Sequence, residues 1–254
     1  MHQIIDAAKE ANISAVIASD VAVMTYCREV GVEVHLSTQL NISNAEALKF
    51  YAQFADVVVL ARELNMDQVA YIYEQIEKQH ICGPKGELVR IEMFCHGALC
   101  MAVSGKCYMS LANTGRSANR GECMQICRRS YTVTDNETGN QLEIDNKYIM
   151  SPKDLKTIRF IDRMMRSGVR VFKIEGRARG AEYVYNVCAA TSRLLRLCST
   201  ARSPMRRRTS GTQHSLQSST GASGTATIRV RPWASGTATT ARTLRRRRCT
   251  WVAA

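Results

Sequence analysis

The sequence predicts an α/β protein in which residues 1–196 form consecutive β/α units. Short apolar stretches of strand length recur about every 20 residues, and stretches with the apolar spacing of an amphipathic helix lie between them. Polar side chains also follow several of the predicted strands. This alternation is typical of a parallel sheet, and both a (β/α) barrel and a doubly wound sheet fit it.

The boundaries of the elements follow from capping residues and from changes in periodicity. Asp20 precedes a helix that ends at Gly31, and Asn44 is placed to cap the next helix. Ser151 and Pro152 are expected to open a later helix. The predicted helices cover residues 2–12, 20–31, 45–54, 66–79, 153–168 and 181–196, and the predicted strands cover residues 14–19, 32–38, 55–61, 89–94 and 169–176.

The positive charge is concentrated at one end of the chain. The 254 residues carry a net charge of +13, and residues 197–254 contain eleven arginines without any Lys, Asp or Glu. Residues 1–196 therefore have a net charge of only +2. The overall basicity alone is thus no sign of a nucleic-acid-binding domain.

Residues 197–254 are predicted to form a disordered, low-complexity, Arg-rich tail. The string ASGTAT occurs at residues 222–227 and again at 234–239, and no helical or strand periodicity persists. Its run of four arginines is a feature of RNA-binding tails. We favour an out-of-frame translation instead, because a shift of one base lets codons for ASGTATIRV give the protein-like GFWDGYYPG. In that case the charge of the tail indicates no partner.

No segment of the chain is predicted to enter a membrane or to direct export. The longest apolar runs, such as residues 55–61, are far shorter than the roughly 20 residues that span a bilayer. The N-terminal pattern is that of an amphipathic helix rather than a signal peptide. We therefore expect a cytoplasmic location, where clustered cysteines serve more often as metal ligands or catalytic groups than in disulfides.

Five of the ten cysteines lie in residues 95–129, which we call the cysteine segment. Its glycines predict a loop rather than one helix. Four thiolates suit either Zn²⁺ or an iron–sulfur cluster, although only one pair has the tight spacing that zinc ribbons repeat. Reduced structural thiols and a catalytic cysteine remain as alternatives. The candidate ligands are Cys95, Cys100, Cys107, Cys123 and Cys127.

Polar residues at the ends of the predicted strands form a second group of candidates. In a (β/α) barrel such residues converge at one mouth, where basic side chains would hold an anionic metabolite or a phosphate. The alternative is that the charged members only form salt bridges with one another. The catalytic candidates are Glu92, His96, Lys173 and Glu175, and the substrate-binding candidates are Gln39, Arg62 and Arg177.

The cysteine segment and four other stretches resemble the peptidase U32 family, also called collagenase-like proteases. The similarity covers residues 1–196. Just before the segment it is carried by Glu92 and Phe94, and within the segment by HGALC (96–100), SGKC (104–107), Ser110 and NRGEC (119–123). Elsewhere it is carried by HLSTQLNISN (35–44), LAREL (60–64), SPKDL (151–155) and FKIEGRARG (172–180).

The resemblance implies a TIM-barrel-like domain that acts in oxygen-independent hydroxylation. The implied substrates are tRNA wobble uridine, a ribosomal RNA cytidine or a ubiquinone precursor, with prephenate as a co-substrate and a cysteine-bound [4Fe–4S] cluster. The chain is most similar to the tRNA 5-hydroxyuridine branch, which makes tRNA and a small anionic metabolite the expected partners and leaves the oligomeric state open. The alternatives are a collagenase-like peptidase and a zinc-stabilised module that binds RNA or a partner protein without being an enzyme.

The resemblance also indicates which cysteines are cluster ligands and which features of the family this chain does not have. Cys100, Cys107 and Cys123 correspond to cluster ligands of the family. Some members take a fourth cysteine where this chain has Lys156, so Cys127 is the expected substitute. Family members begin with about three further β/α units, and a partial barrel that is truncated at its N-terminus is therefore expected. Such a fragment could be inactive, since an open half-barrel exposes two sheet edges.

Overall fold

The computed structural model describes residues 1–144, 153–177, 179–201 and the backbone of residues 225–229. Within these ranges, strands and helices alternate along the chain as the sequence predicts. The helices are α1 (His2–Glu10), α2 (Val21–Val30), α3 (Ala45–Ala52), α4 (Met66–Lys78), α5 (Met109–Thr114), α6 (Ile161–Arg166) and α7 (Ala181–Ala201). The strands are β1 (Val16–Ala18), β2 (Val34–Leu36), β3 (Val57–Val59), β4 (Arg90–Gly97), β5 (Tyr131–Thr134), β6 (Gln141–Ile144), β7 (Leu155–Lys156), β8 (Val169–Glu175) and β9 (Thr225–Arg229).

The main sheet has the strand order β1-β2-β3-β4-β8-β9, and β7 pairs with β4 outside this path. The first five strands of that order are parallel, whereas β9 runs antiparallel to β8 and β7 antiparallel to β4. The parallel strands follow chain order, as the strands of a (β/α) barrel do. Among the described strands the sheet stays open, with β1 and β9 at its two ends. The α/β class is therefore confirmed, while barrel closure is not seen.

Helix boundaries follow the predicted capping residues. The side chain of Asp20 accepts hydrogen bonds from the backbone N–H groups of Ala22 and Val23, at 2.9 and 3.3 Å. Gly31 ends the same helix with a φ of 76°, in the left-handed region that favours glycine. The side chain of Asn44 accepts from the N–H of Ala47 at 2.8 Å. These caps satisfy backbone donors that have no partner inside the helix.

Alternate side chains of each strand point to opposite faces of the sheet, and one face forms the hydrophobic core with the helices. Burial of these apolar side chains is the main favourable contribution to folding. The core includes Leu36, Val58, Ile91 and Phe172 from the strands, with Ile5, Met24, Leu48, Ile72 and Met164 from the helices.

The opposite face of the sheet carries a charged layer. His35, Glu92 and Lys173 each lie next in sequence to a core residue and are 1%, 0% and 6% exposed. Charged side chains are rarely buried to this degree unless they are paired. The location of this layer, beneath the carboxyl ends of the parallel strands, makes it part of the candidate site.

The structure departs from the predicted elements in two places before the tail. The helix predicted over residues 153–168 is wrong in its first half, because Leu155 and Lys156 pair with β4 and helix α6 begins only at Ile161. Residues 151 and 152 lie outside the described part of the chain. The hairpin of β5 and β6 was not predicted, and its strands are mostly exposed, so no buried apolar pattern marks it.

The predicted tail is described only in part. Helix α7 continues to Ala201, five residues past its predicted end. Residues 225–229 form β9, so the expectation of disorder does not hold for them. A sheet edge such as that of β8 offers unpaired backbone groups to which a short extended segment can add. Residues 202–224 and 230–254 lie outside the described ranges, and there disorder stays a prediction. No described helix has the length and apolar character needed to cross a membrane.

Candidate functional site

A cavity of about 310 Å³ lies between the carboxyl ends of the parallel strands and the cysteine segment. This is the edge where ligands bind in α/β proteins built from parallel strands. Nine of the eleven predicted site residues line the cavity. They are Gln39, Arg62, Lys173, Glu175, Arg177, Cys100, Cys107, Cys123 and Cys127.

The charged groups of Arg62 and Lys173 both lie near the ring of Phe94, and all three residues line the cavity. The guanidinium carbon of Arg62 lies 4.8 Å from the centre of the Phe94 ring, and the Lys173 ammonium lies 5.5 Å from it. Both distances allow cation–π attraction. The Nε atom of Arg62 is buried and has no hydrogen-bond partner among the described residues. A buried donor without a partner favours a ligand that supplies an acceptor, and an anion would do so.

Glu92 does not line the cavity, contrary to the prediction that it would lie at the mouth. It is completely buried beneath Lys173, with 3.2 Å between its carboxylate and the Lys173 ammonium. His35 approaches the other carboxylate oxygen at 3.4 Å. Burial alone would raise the pKa of Glu92, but the neighbouring Lys173 and His35 outweigh it and lower the pKa to about 2. The structure thus places Glu92 beside Lys173 as its counter-ion.

His96 also lies outside the cavity lining, so the structure does not bring it together with the other candidates. Its ring packs near the ring of Tyr183, with 5.8 Å between the two centres. Burial is the largest influence on the His96 imidazole and lowers its pKa, followed by opposing effects of Asp154 and Lys156. This position does not support a catalytic role for His96.

Gln39 joins the end of the sheet to the cysteine segment. Its side-chain oxygen accepts a hydrogen bond from the Ser19 hydroxyl at 3.1 Å, and its side-chain nitrogen donates to the carbonyl of Asn119 at 3.3 Å. One amide thus contacts the loop after β1 and the loop that carries Cys123. The predicted substrate-binding residue therefore also helps to hold the segment over the sheet.

Glu175 and Arg177 form the turn that follows β8. A carboxylate oxygen of Glu175 accepts a hydrogen bond from the backbone N–H of Arg177 at 2.8 Å. Gly97 packs closely against this turn. A Cβ added to Gly97 would lie 2.2 Å from the Glu175 carbonyl oxygen, and the φ of Gly97 is +110°. Only glycine allows both this backbone conformation and this close approach.

The cysteine segment is a chain of short turns rather than one helix, as predicted. Beyond β4 it contains three 3₁₀ turns and the short helix α5. Residues with positive φ interrupt it repeatedly. Only three residues between 98 and 129 are buried as whole residues, and the hydroxyl of one, Ser110, accepts a hydrogen bond from the Met124 N–H at 3.0 Å. The three are Ser104, Ser110 and Ile126.

The four predicted ligand cysteines share this cavity and fit an iron–sulfur cluster by donor type. Cys100, Cys107 and Cys123 are free thiols. The backbone N–H of Met109 donates to the sulfur of Cys107 at 3.4 Å, a contact that stabilises thiolate charge. The described residues nevertheless include no group of three His, Cys, Asp or Glu side chains close enough together to hold a metal ion. The thiols would therefore have to move towards one another within the cavity to bind one.

Cys95 is separated from this set by its position in β4. It is 2% exposed and belongs to the hydrophobic core on the opposite face of the strand. Burial raises the pKa of its thiol to about 12, and its position in the core keeps it out of the cavity lining. The adjacent Cys95 and His96 consequently form no nucleophile–base pair.

The geometry brings two residues to the site that are not among the predicted catalytic, substrate-binding or metal-ligand residues. His35 reaches Glu92 from β2, and the signal available was a histidine in an otherwise apolar strand. Arg128 lines the cavity and forms an ion pair with Asp154 at 2.6 Å. Nothing local in the sequence indicates this pair, because 26 positions separate the two residues.

Comparisons with known proteins agree on one family. The model of peptidase family U32 matches residues 1–223. A collagenase of Porphyromonas gingivalis is 73% identical over 188 residues, which cover 74% of this chain and 45% of that protein. The tRNA hydroxylation protein P1 of Bacillus subtilis is 37% identical over 193 residues, 73% of this chain and 43% of that protein. The 23S rRNA 5-hydroxycytidine C2501 synthase of Escherichia coli is 40% identical over 191 residues, 74% of this chain and 27% of that protein.

These relatives share the family but have different names. The chain spans about half of their length or less. Identity to the collagenase exceeds identity to the two RNA-hydroxylation proteins, so similarity to the tRNA 5-hydroxyuridine branch in particular stays a prediction. No solved structure matches the chain. The family model and these relatives together show that the chain belongs to peptidase family U32.

Proposed function

We propose that this chain is part of a U32 protein that acts in the oxygen-independent hydroxylation of RNA, with tRNA wobble uridine as the expected substrate. The observation that carries the proposal is one cavity lined by four cysteines and four cations. The cysteines are Cys100, Cys107, Cys123 and Cys127, and the cations are Arg62, Arg128, Lys173 and Arg177. Relatives at 37% and 40% identity that are named for tRNA and rRNA hydroxylation support the choice of RNA.

The cations provide the binding site for a small anionic co-substrate. Prephenate, the metabolite implied by the family resemblance, carries two carboxylates. Arg62 and Arg177 can each bind a carboxylate through paired N–H groups, and Lys173 offers a compact positive charge between them and the buried Glu92. The Glu92 carboxylate, with its lowered pKa, keeps that charge in place although Lys173 is only 6% exposed.

The four thiolates would hold a [4Fe–4S] cluster at the wall of the same cavity. When bound, this cluster supplies electron transfer. The residues around it supply the charge balance, since the segment carries Lys106, Arg116, Arg120 and Arg129 as exposed basic residues and Glu122 as its exposed acidic residue. Exposed basic side chains around a site also suit the phosphates of an RNA substrate.

Glu175 is the carboxylate best placed for proton transfer. It lines the cavity, whereas Glu92 is buried beneath it. One of its oxygens accepts from the Arg177 N–H, which fixes the side chain relative to that cation. We therefore assign Glu175 as the acid–base candidate and Glu92 as a positioning residue for Lys173.

A collagenase-like peptidase is the second candidate, favoured by the 73% identity to a protein with that name. The site geometry offers this candidate less support. The ring nitrogens of His35 lie 3.5 and 3.4 Å from the carboxylates of Glu33 and Glu92, and His96 packs near Tyr183. Neither arrangement presents a base to a cavity thiol, which nucleophilic catalysis by cysteine requires. A zinc-stabilised binding module is the third candidate.

The proposal is tested by deleting the gene that encodes this chain and measuring modified nucleosides by mass spectrometry. We expect a loss of 5-hydroxyuridine-derived nucleosides from tRNA, restored by the wild-type gene and not by one carrying Cys123→Ser. A Cys82→Ser gene, altered in a cysteine outside the cavity, should restore them. Unchanged tRNA nucleosides after deletion would contradict the proposal. Digestion of denatured collagen by the purified protein, sensitive to thiol reagents, would favour the peptidase instead.

A further inference from the structure

The two ends of the cysteine segment are joined by one guanidinium group. Arg128 directly follows Cys127, and its Nη2 donates a hydrogen bond to the carbonyl of Leu99, which directly precedes Cys100. The donor–acceptor distance is 3.3 Å, although 29 positions separate the two residues. The side chain of Arg128 is only 8% exposed. The segment is thus a closed loop whose ends, each beside a predicted ligand cysteine, meet at Arg128.

Asp154 connects this closure to the rest of the protein. One carboxylate oxygen accepts from Nη1 of Arg128 at 2.6 Å, and the other accepts from Nη2 of Arg179 at 2.8 Å. Charge-assisted hydrogen bonds of this length are among the stronger polar contacts in proteins. The carboxylate therefore bridges the end of the cysteine segment and the loop that follows β8.

The backbone that carries Asp154 is itself fixed to the sheet. Leu155 and Lys156 pair with the last two residues of β4. Immediately afterwards, the N–H and the hydroxyl of Thr157 both donate to the Cys95 carbonyl, at 3.2 and 2.8 Å. Asp154 is thus held on a rigid support next to the point where β4 leads into the cysteine segment.

From this geometry we infer that Asp154 is a positioning residue that latches the cysteine segment closed through Arg128. The latch sets the positions of Cys100 and Cys127 relative to the cavity. The inference rests on these hydrogen bonds, and it stands whether the cavity holds a cluster, zinc or neither. Without the carboxylate, the ends of the segment are expected to separate from the sheet more often, while the sheet itself stays folded.

The test is site-resolved alkylation of the reduced, chelator-treated 254-residue chain with iodoacetamide, followed by mass spectrometry. In Asp154→Asn we expect Cys100 and Cys127 to react about tenfold faster than in the wild type, because local opening exposes them. Asp154→Glu, which keeps the charge, should restore most of the protection. Cys27, which is 0% exposed in helix α2, reports global unfolding and should react at an unchanged rate.

Asp162→Asn is the matched control. Asp162 forms an ion pair with Arg166 that is also 2.6 Å long, but both side chains are largely exposed within helix α6. This substitution should leave the reactivity of Cys100 and Cys127 unchanged. Equal reactivity of these two thiols in Asp154→Asn and in the wild type would overturn the inference. A rise that includes Cys27 to the same extent would overturn it as well, because the opening would then be global.

Discussion

The sheet frame and the cysteine segment are built in opposite ways. The sheet frame, which comprises β1–β4, β8 and the helices packed on them, is held by an apolar core whose largest members are fully buried. Beyond β4 the cysteine segment contains only three residues that are buried as a whole, and it is held by polar contacts at Gln39, Ser110 and Arg128. Apolar burial stabilises the scaffold, whereas the segment is left free to carry thiols and charges at the cavity.

The sheet frame and the cysteine segment meet at the cavity. The frame contains one polar layer, and that layer lies directly under the cavity that the segment covers. Substitutions in this layer should therefore have the largest effects on folding. Substitutions within the segment should change thiol positions and metal content while leaving the stability of the frame nearly unchanged.

The largest expected effect comes from removing the cation of the buried layer. Lys173→Met takes away the ammonium 3.2 Å from the completely buried Glu92 carboxylate. We expect a loss of about 3–5 kcal/mol in the free energy of unfolding, measured in urea, because the buried negative charge loses its main partner. The double variant Glu92→Leu with Lys173→Met should recover most of this loss, since it removes both charges.

Lys78→Met provides the control for that substitution. Lys78 forms an ion pair of 2.6 Å with Glu74 on the exposed face of helix α4. Exposed pairs contribute little, so no measurable change in stability is expected. If Lys173→Met were as mild as Lys78→Met, the buried layer would not be the polar centre of the frame.

The junction between the two regions should be the next most sensitive point. Gly97→Ala places a Cβ 2.2 Å from the Glu175 carbonyl oxygen at a φ of +110°. We expect a loss of about 2–4 kcal/mol in the free energy of unfolding, because β4 or the turn after β8 must shift. In Gly115→Ala, at a φ of +70° with nothing within 4 Å, only backbone strain of about 1 kcal/mol is expected. If Gly97→Ala and Gly115→Ala lowered the free energy of unfolding equally, β4 and the turn after β8 would be able to move apart at little cost.

The buried layer also predicts how stability depends on pH. Glu92 has a pKa of about 2 in the folded chain and an ordinary value of 4.5 when unfolded, so protons bind more tightly to the unfolded state. The contribution of the Glu92 carboxylate to the free energy of unfolding is complete above about pH 4.5 and is lost as the pH falls towards 2. The wild type should lose about 1–3 kcal/mol more than Glu92→Gln across this window, as measured by urea unfolding at each pH. Parallel pH profiles for the two proteins would contradict the assignment.

The smallest effect is expected at a helix cap outside the cavity lining. Asn65 caps helix α4, accepting from the N–H groups of Asp67 and Gln68 at 3.0 and 2.9 Å. Asn65→Ala should cost about 1 kcal/mol of unfolding free energy, and Asn65→Asp much less, because aspartate also caps helices. Neither variant should change the alkylation rates of the cavity thiols. A change in those rates would show that the frame and the segment are coupled more tightly than their contacts indicate.

Sequence patterns predicted the frame well because its elements are locally encoded. Asp20, Asn44 and Gly31 mark helix ends through contacts within one turn, and apolar runs such as residues 55–61 mark buried strands. The helix predicted over residues 153–168 failed because pairing of Leu155 and Lys156 with β4 overrode local propensity. Such pairing depends on a strand about 60 positions away, which no local window contains.

The sequence predicted which types of residue belong to the site, but not how deeply each side chain is buried. Strand-end position correctly grouped Arg62, Lys173 and Arg177 around one cavity. It could not show that Glu92 lies beneath Lys173 or that His96 turns towards Tyr183, because both depend on packing across the sheet. Among the five cysteines of the segment, the family resemblance selected Cys100, Cys107 and Cys123, and Cys127 was the expected substitute for a fourth ligand.

The most direct test of the central claim is metal analysis of the 254-residue chain purified without oxygen. If the cysteine segment holds a [4Fe–4S] cluster, the protein will be brown and contain about four iron and four sulfide per chain. Replacing Cys100, Cys107, Cys123 or Cys127 by serine should each deplete the iron, while Cys82→Ser should retain it. A colourless protein with one zinc, or an iron content that these four substitutions leave unchanged, would contradict the account.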